Sequence, residues 1–371
     1  MVKEPMHIAH IVGKVQMAGV DAVVMNYYRH IDKKIIQFDF FMDGLDKTPI
    51  DDEILSMGGR IFKLPPYQQG MGKNLSTFRM LINENKYRII HCHMNTLSIF
   101  WLREAKKAGI PIRIAHSHST AGKGETLRNL IKYTLRLFSK VYASHYCACS
   151  HYAGRWLFGN YYFDSGKVII LRNAIDANAF EYKKTVRGAV RREFGIGNEL
   201  VLGHAGRFMY QKNHTYLIKI FEQVHKLYQD SKLLLVGDGP LKISIEQMVK
   251  LKGLKDKVIF TGTRTDVPRI MQGIDCFVLP SRYEGLGLVA VEAQASGLLC
   301  YVSNEVPNEA ILTNHCKSLS LKLAPELWAR QIIDDLVEYK RSSDIRWVIE
   351  KGYNIEQEVK KLEEYYLSIV K

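Results

Sequence analysis

The sequence predicts an α/β protein built from two doubly wound parallel-sheet domains. Short apolar runs alternate with longer stretches of helical periodicity along nearly the whole chain of 371 residues. The alternation pauses once, at the polar segment 173–184, and then restarts. Because a chain of this length is long for one hydrophobic core, we expect one domain at residues 1–172 and a second at residues 173–354.

The first half opens with an apolar run at 7–12, which ends at Gly13 and is followed by a helical pattern over 20–31. A strand, a loop and a helix in this order begin a βα unit. The other strand-like runs of this half lie at 37–42, 60–64, 88–91, 110–115, 141–147 and 168–171. Helical stretches such as 75–85 and 96–108 separate most of them.

The second half repeats the pattern, with strand-like runs at 200–204, 232–236, 258–260, 276–279, 299–302 and 318–321. A last helix, about 355–371, follows a break at 352–354 and could pack on either domain. In open parallel sheets, ligands bind beyond the carboxyl ends of the strands. Two such domains facing each other would therefore form a ligand-binding cleft.

Composition and charge restrict the class of protein. No apolar run reaches the roughly 18 to 20 residues that cross a bilayer, and no signal peptide is recognisable, so we expect a cytoplasmic protein. The six scattered cysteines fit free thiols in a reducing compartment. Most of the net charge of +14 lies before residue 173, which indicates an anionic partner. Nucleic acid is a poor explanation, since no base-reading motif accompanies the charge.

The stretch 279–297, LPSRYEGLGLVAVEAQASG, has the character of a phosphate-binding turn. An apolar strand ends at Leu279, a glycine-flanked turn carries Glu284, and a helix over about 286–295 carries Glu292. The unpaired N–H groups and the dipole of such a helix N-terminus attract phosphate. The two carboxylates would repel phosphate, so they are better suited to hydroxyls beside it. Phosphate flanked by hydroxyls describes a nucleotide sugar.

Further polar turns follow the neighbouring strands of the second half. Arg207 and Lys212, five positions apart after the first strand, supply two cations suited to a diphosphate. The other turn residues that we single out are Gly206, Gly237, Gly239, Thr263 and Asp266. Each of these signals is weak when taken alone, because a loop cation or a glycine turn is usually structural.

Taken together and in this order, the motifs of 200–297 resemble those of the GT-B glycosyltransferases of the retaining family 4 (glycosyl transferases group 1), among them bacterial exopolysaccharide and capsule enzymes. Glu284 and Glu292 match the E-x7-E element of that family. The resemblance implies two Rossmann-like domains and a nucleotide-sugar donor, with Arg207 and Lys212 on the diphosphate. It also implies Glu284 on sugar hydroxyls and Glu292 on the ribose, with the backbone of Gly285, Leu286 and Gly287 at the phosphate and Thr263 to Asp266 near the base.

The first half is less similar to the family. Residues 17–20 resemble its glycine-rich loop, with Ala18 in place of a glycine, and Gly19 can still approach a ligand closely. Residues 173–176, NAID, resemble its crossover motif. Family members carry a histidine at the end of the strand that is 111–115 here, near the anomeric carbon of the donor sugar. His116 is favoured because it follows the apolar run directly, and His118 is the alternative. For either histidine taken alone, a purely structural role is an equal alternative.

Alternation along the strand places His116 and His118 on the same side. His91 and His93, at the end of the preceding strand, are expected to be structural or to lie on the acceptor side. Between 125 and 140 the sequence predicts an amphipathic helix whose basic residues recur every fourth position: Arg128, Lys132, Arg136 and Lys140. It is either an ordinary surface helix or a site that docks onto anionic lipid.

The sequence therefore predicts a retaining glycosyltransferase that moves a sugar from a nucleotide donor, with UDP the first choice, to a lipid-linked or polysaccharide acceptor. No metal and no cofactor are expected, because cations and a helix N-terminus can neutralise the leaving diphosphate. The enzyme is expected in the cytoplasm, and at the inner face of the membrane if the basic helix docks there. Two alternatives are a UDP-sugar epimerase on the same architecture and a non-catalytic sugar-nucleotide or polyanion-binding protein.

Overall fold

The computed structural model describes residues 4–15, 19–120, 126–342 and 345–370, without the side chains of 126–128. The chain divides into two compact units. Unit 1 contains Met1–Ile175 and Gly352–Lys371, and unit 2 contains Asp176–Lys351. Each unit is a parallel sheet covered by helices, as the alternating pattern predicted.

Seven parallel strands form the sheet of unit 1, in the order β3-β2-β1-β4-β5-β6-β7. The strands are β1 (Met6–Gly13), β2 (Ile36–Asp43), β3 (Arg60–Leu64), β4 (Ile89–Cys92), β5 (Ile112–Ser117), β6 (His145–Ala148) and β7 (Val168–Ile170). The connecting helices are α1 (Val20–His30), α2 (Asp51–Ser56), α3 (Tyr67–Asn85), α4 (Ser98–Lys107), α5 (Thr126–Leu137), α6 (His151–Phe158) and α7 (Asn160–Asp164). β1 and β4 are neighbours, so the strand order reverses between them.

Six parallel strands form the sheet of unit 2, in the order β10-β9-β8-β11-β12-β13. They are β8 (Leu200–Ala205), β9 (Ser231–Val236), β10 (Val258–Gly262), β11 (Cys276–Leu279), β12 (Leu299–Ser303) and β13 (Cys316–Leu319). Its helices are α8 (Ala177–Phe180), α9 (Lys184–Glu193), α10 (His214–Leu227), α11 (Lys242–Leu251), α12 (Val267–Gln272), α13 (Leu288–Ala295), α14 (Pro325–Glu338) and α15 (Arg346–Glu350). The strand order reverses between β8 and β11, which pair directly.

The last helix, α16 (Ile355–Val370), belongs to unit 1 and packs against α1. The backbone of Ile175 pairs with Asn354, so the end of the first segment and the start of α16 form one bridge. Glu358 of this helix is buried, and its Oε2 atom accepts from the N–H of Arg172 at 3.3 Å. These contacts hold the C-terminal residues on the first sheet.

Several predicted segments differ from the structure, and α3, for example, begins at Tyr67 rather than at 75. β6 begins at His145 rather than at 141, because the chain turns just before it and the N–H of Val141 donates to the carbonyl of Phe138. α5 ends at Leu137, so it does not reach residue 140. The polar segment 173–184 contains the one-turn helix α8, which Asp176 caps by accepting from the N–H of Asn178 at 3.1 Å.

Gly203, in the middle of β8, provides a test of how tightly unit 2 is packed. A Cβ atom at this position would lie 2.2 Å from Cδ1 and 2.7 Å from Cγ2 of Ile274, which is itself buried. We expect Gly203→Ala to lower the unfolding free energy by about 1–3 kcal/mol through overpacking, and therefore to lower the thermal midpoint. The control is Gly188→Ala in α9, where the nearest atom lies at 3.5 Å and alanine favours the helix. Equal midpoints for the two variants would contradict the prediction.

Candidate functional site

Two turns of unit 2 meet where the strand order reverses, which is the place where open α/β sheets bind ligands. One turn follows β8 and includes the short 3-10 helix Tyr210–Lys212, and the other follows β11. Backbone and side-chain contacts join them. The N–H of Arg282 donates to the carbonyl of Gln211 at 2.7 Å, and Asn213 Nδ2 donates to the carbonyl of Pro280 at 3.0 Å.

Glu284 lies at the centre of these two turns and is only 7% exposed. Its Oε1 atom accepts from Lys212 Nζ at 2.8 Å and from Ser281 Oγ at 2.6 Å, and its Oε2 atom accepts from Gln211 Nε2 at 3.1 Å. A buried carboxylate is costly unless several donors satisfy it. The structure therefore brings Glu284 and Lys212 together as an ion pair.

Glycine is required where the turn after β8 meets the turn after β9. A Cβ atom on Gly237 would lie 2.3 Å from the carbonyl oxygen of Gly206, and one on Gly239 would lie 2.6 Å from that of Phe208. At Gly206 itself a Cβ atom would lie 3.1 Å from Lys212 Cε. The close backbone approach of these turns therefore depends on the missing side chains.

The N-terminus of α13 lies beside Glu284. The helix begins at Leu288, two residues later than the sequence predicted, and Gly287 precedes it with a φ of 85°. No side chain caps this end. The first N–H groups of a helix have no partner within it, so they are available for an anion. Leu286 is buried and Gly285 is half-buried.

Glu292 lies on α13 and is half-buried. Burial raises the pKa of its carboxyl group from 4.5 to about 7, and the charge of Lys212 opposes part of this shift. The ordinary state of this group near neutral pH is therefore a mixture of acid and carboxylate.

The remaining residues predicted for the donor site lie on the same edge of the sheet of unit 2. Arg207 is exposed in the turn after β8. Thr263 is exposed after β10, an edge strand. The Asp266 carboxylate accepts from Arg264 Nε at 2.8 Å and from Arg269 Nη1 at 3.1 Å, so it belongs to a local ion-pair group.

His116 and His118 lie side by side at the end of β5, with ring centroids 3.9 Å apart, so both side chains point to one side as alternation predicted. Both are buried, and burial lowers the pKa of His118 to about 3 and that of His116 well below 6.5. Among the described residues, His116 Nε2 has no hydrogen-bond partner. Both rings are therefore neutral near pH 7.

His91 and His93 support these two rings from β4. His91 Nε2 lies 3.0 Å from His116 Nδ1, and His93 Nδ1 lies 2.9 Å from His118 Nε2. The hydroxyl of Tyr366 on α16 lies 2.6 Å from His91 Nδ1, and His10 Nδ1 on β1 lies 3.0 Å from His93 Nε2. Five histidines and one tyrosine thus form two hydrogen-bonded rows across β1, β4 and β5.

Gly19 caps α1 with a φ of 70° and has open space where a Cβ atom would stand, so the chain there can approach a ligand. The preceding residues of the predicted glycine-rich loop, Met17 and Ala18, lie outside the described residues.

Two of the basic residues predicted to form a stripe on α5 contact neighbouring groups. The guanidinium of Arg136 lies 5.6 Å from the Trp156 ring, and Lys140, which follows the helix, donates to the carbonyl of Phe158 at 3.2 Å. Lys132 is half-buried, and the side chain of Arg128 lies outside the described residues. Apolar side chains of α5 and of the residues just after it are exposed, namely Leu130, Ile131, Tyr133, Leu137, Phe138 and Val141.

Sequence reasoning missed four residues around these sites. Ser281 stands inside the predicted motif, so its contact with Glu284 could have been considered. His204, buried under Gly206 with a pKa lowered by burial to about 4, gave no sequence signal. His10 and Tyr366 gave none either, because tertiary structure alone brings them to His91 and His93.

Comparison with known proteins agrees with this geometry. Residues 186–345 match the family Glycosyl transferases group 1, and residues 17–179 match Glycosyltransferase Family 4. EpsF of Bacillus subtilis (strain 168), whose name assigns it to the glycosyltransferases, is 35% identical over 88% of this chain and 86% of its own. The UDP-Gal:alpha-D-GlcNAc-diphosphoundecaprenol alpha-1,3-galactosyltransferase of Escherichia coli is 26% identical over 98% of this chain and 97% of its own.

The fold is also that of solved GT-B structures. The structure of Anabaena Alr3699/HepE in complex with UDP and glucose has a TM-score of 0.80 at 18% identity, covering 98% of this chain and 100% of that chain. The sucrose-phosphate synthase of Thermosynechococcus elongatus has the same TM-score at 17% identity, covering 98% and 99%. With two family matches and a relative of this identity and coverage, the chain belongs to the family 4 (group 1) glycosyltransferases of GT-B fold.

Proposed function

We propose that this glycosyltransferase moves a sugar from a UDP-sugar, with retention of anomeric configuration and without a metal ion, to a lipid-linked or polysaccharide acceptor. The observation that carries the donor part is the Lys212–Glu284 pair beside the uncapped N-terminus of α13. One small region of unit 2 supplies a cation, free backbone donors and a carboxylate held in place. These are the groups that a sugar diphosphate needs.

Each group takes a role that follows from its charge. Lys212 and Arg207 bind the diphosphate and stabilise the negative charge that develops as it leaves. The N–H groups at Gly287 and Leu288 meet the same phosphates. Glu284 accepts from hydroxyls of the donor sugar, and Glu292 accepts from the ribose. Because these cationic and backbone groups already oppose the leaving charge, the transfer needs no divalent ion.

UDP is the proposed nucleotide because two of the similar proteins point to it. The E. coli relative is named for UDP-Gal, and the Anabaena structure contains UDP. In unit 1, His116 or His118 contacts the donor sugar near its anomeric carbon. A neutral imidazole suits this place, because it can exchange hydrogen bonds with hydroxyls without adding charge.

The acceptor is proposed to be presented at the inner face of the cell membrane, with the enzyme bound there from the cytoplasm. The E. coli relative is named for an undecaprenol-linked acceptor. Among the described helices, none has the length and apolar character needed to cross a bilayer. The exposed apolar face of α5 can instead insert at the interface, with Leu137 at 73% and Leu130 at 64% exposure.

The direct test is release of UDP from a panel of nucleotide sugars, with membrane extract as the acceptor source. We expect the enzyme to consume one UDP-sugar, and only when the extract is present. NMR of the product should show that the anomeric configuration of the sugar is retained, and the reaction should proceed in the presence of EDTA. If no nucleotide sugar is bound, hydrolysed or transferred, the proposed function fails.

Glu284→Gln tests the proposed donor site. Glutamine keeps the size of the side chain but removes the charge opposite Lys212 and one acceptor function. We expect kcat in the UDP-release assay to fall by about 10- to 100-fold, the cost of a charged hydrogen bond in a desolvated site. The control is Glu222→Gln, which breaks a similar pair with Lys252 at 2.6 Å, on α10 and outside the site. Full activity of Glu284→Gln would exclude the proposed role.

Glu292→Gln tests whether this half-buried carboxyl group lowers the stability of the fold. The pKa of this carboxyl group is about 7 in the folded chain and 4.5 in the unfolded chain, so below pH 4.5 the group is protonated in both. As the pH rises from about 4.5 through 7, the group ionises first in the unfolded chain, and the folded state therefore loses stability. Glutamine does not ionise, so the variant does not lose stability in this pH range. We expect the thermal midpoint of Glu292→Gln to exceed that of the parent at pH 8 by more than at pH 4.5. The exposed Glu246→Gln is the control, and a pH-independent difference would contradict the prediction.

Leu130→Asp combined with Leu137→Asp tests membrane binding. Each leucine that becomes buried in the membrane contributes about 1.5–3 kcal/mol of transfer free energy. We therefore expect the affinity of the double variant for anionic vesicles, measured by co-sedimentation, to fall at least tenfold. Leu251→Asp changes a leucine that is 89% exposed in unit 2 and serves as the control. Membrane docking through α5 is wrong if the double variant and the control bind vesicles equally well.

A further inference from the structure

The row Tyr366–His91–His116 fixes the position of protons in unit 1. The hydroxyl oxygen of Tyr366 lies 2.6 Å from His91 Nδ1, and His91 Nε2 lies 3.0 Å from His116 Nδ1. All three side chains are buried, with Tyr366 fully so. A neutral imidazole carries one proton on one of its two nitrogens, so each hydrogen bond in such a row determines the next.

The first bond has a direction. A separation of 2.6 Å is typical when a hydroxyl donates, whereas an N–H donor usually lies 2.9–3.0 Å from its acceptor. Among the described residues, the hydroxyl has a second hydrogen-bond contact with His10 Nε2, but its length of 3.5 Å makes it much weaker than the contact with His91. Tyr366 therefore donates to His91 Nδ1. His91 must then carry its own proton on Nε2, which donates to His116 Nδ1.

These two hydrogen bonds determine which nitrogen of His116 carries its proton. Since its Nδ1 atom accepts, its proton must sit on Nε2, the atom without a hydrogen-bond partner among the described residues. Burial and the neighbouring histidines His118, His93 and His10 keep the pKa of His116 well below 6.5, which excludes a second proton near neutral pH.

We propose that Tyr366 and His91 are positioning residues that hold His116 as the Nε2–H tautomer, so that His116 offers a hydrogen-bond donor, and not a base, to a substrate oxygen. The substrate part of this inference rests on the proposed function. The partner that His116 recognises is then an oxygen that accepts, such as a hydroxyl or ring oxygen of the sugar. A residue of the last helix thereby acts on the sugar through two imidazole rings.

A bound metal ion is the competing explanation of so many histidines. Two trios, His10–His91–His93 and His93–His116–His118, have ligand atoms within 4.8 Å of one another. The rings of His91 and His93, however, are stacked at 24° and those of His116 and His118 at 29°. Stacked rings do not direct their lone pairs to one centre, and His91 and His93 use both nitrogens in pairwise hydrogen bonds.

The experiment is a long-range ¹H–¹⁵N correlation spectrum of the full-length chain with ¹⁵N-labelled histidine. His116→Gln assigns the signals of His116. We expect the parent to show His116 protonated on Nε2 alone. In Tyr366→Phe the first donor is lost, and we expect a substantial Nδ1–H population of His116, with kcat lowered about tenfold and KM for the nucleotide sugar nearly unchanged.

Matched variants separate the proton position from folding. Tyr365→Phe removes the neighbouring hydroxyl on α16, whose contact is with Cys147, and should leave the His116 signals unchanged. His91→Gln can still donate an N–H to His116 Nδ1 and should retain the Nε2–H tautomer. His91→Glu offers an acceptor instead and should move the proton to Nδ1. If Tyr366→Phe fails to fold, the two His91 variants still decide the question.

Several outcomes would overturn the proposal. These are an Nδ1–H or doubly protonated His116 in the parent, identical spectra for the parent, Tyr366→Phe and His91→Glu, or stoichiometric metal in the purified protein by elemental analysis. The spectra need no substrate. A correct tautomer in a chain that transfers no sugar would therefore refute the proposed function and the substrate part of this inference, while the roles of Tyr366 and His91 in setting the tautomer would stand.

Discussion

The need to satisfy a buried carboxylate shapes unit 2 of this glycosyltransferase. Glu284 can be buried only because Lys212, Ser281 and Gln211 converge on it, and these residues come from the turns after β8 and β11. The two strands are neighbours although two others lie between them in sequence. The contacts that satisfy Glu284 thus join two segments that are distant in sequence, and they hold the uncapped N-terminus of α13 beside the Lys212 cation.

Unit 1 also buries polar side chains, but these are neutral and satisfy one another by hydrogen bonds. Five buried histidines would repel one another if they were charged, and burial keeps the pKa of each below its ordinary value. As neutral rings they exchange hydrogen bonds across β1, β4 and β5, at the place where the strand order of this sheet reverses. Both sheets therefore place their polar groups at the same topological position. The groups differ, with ions in unit 2 and imidazoles in unit 1.

Much of the fold follows from local pattern, and much of the detail does not. Alternating apolar runs predicted most strands to within two residues, and the motif around Glu284 and Glu292 indicated the family. The start of β6 and the end of α5 were wrong, because turns formed by backbone hydrogen bonds stop the periodic pattern there. Aromatic rings and a carbonyl of α6 and α7 pack on Arg136 and Lys140, and local pattern gave no sign of these contacts.

The sequence by itself determined the class of fold and the family, and it suggested the residue types of the proposed donor site, since these depend on periodicity and on short motifs whose members lie close together in the chain. Only the tertiary structure decided the partners. It paired Glu284 with Lys212, 72 positions away, and brought Tyr366 to His91 across 275 positions. Hydrogen bonds act over about 3 Å in space and carry no trace in local sequence, so the proton position on His116 is a property of the folded chain alone.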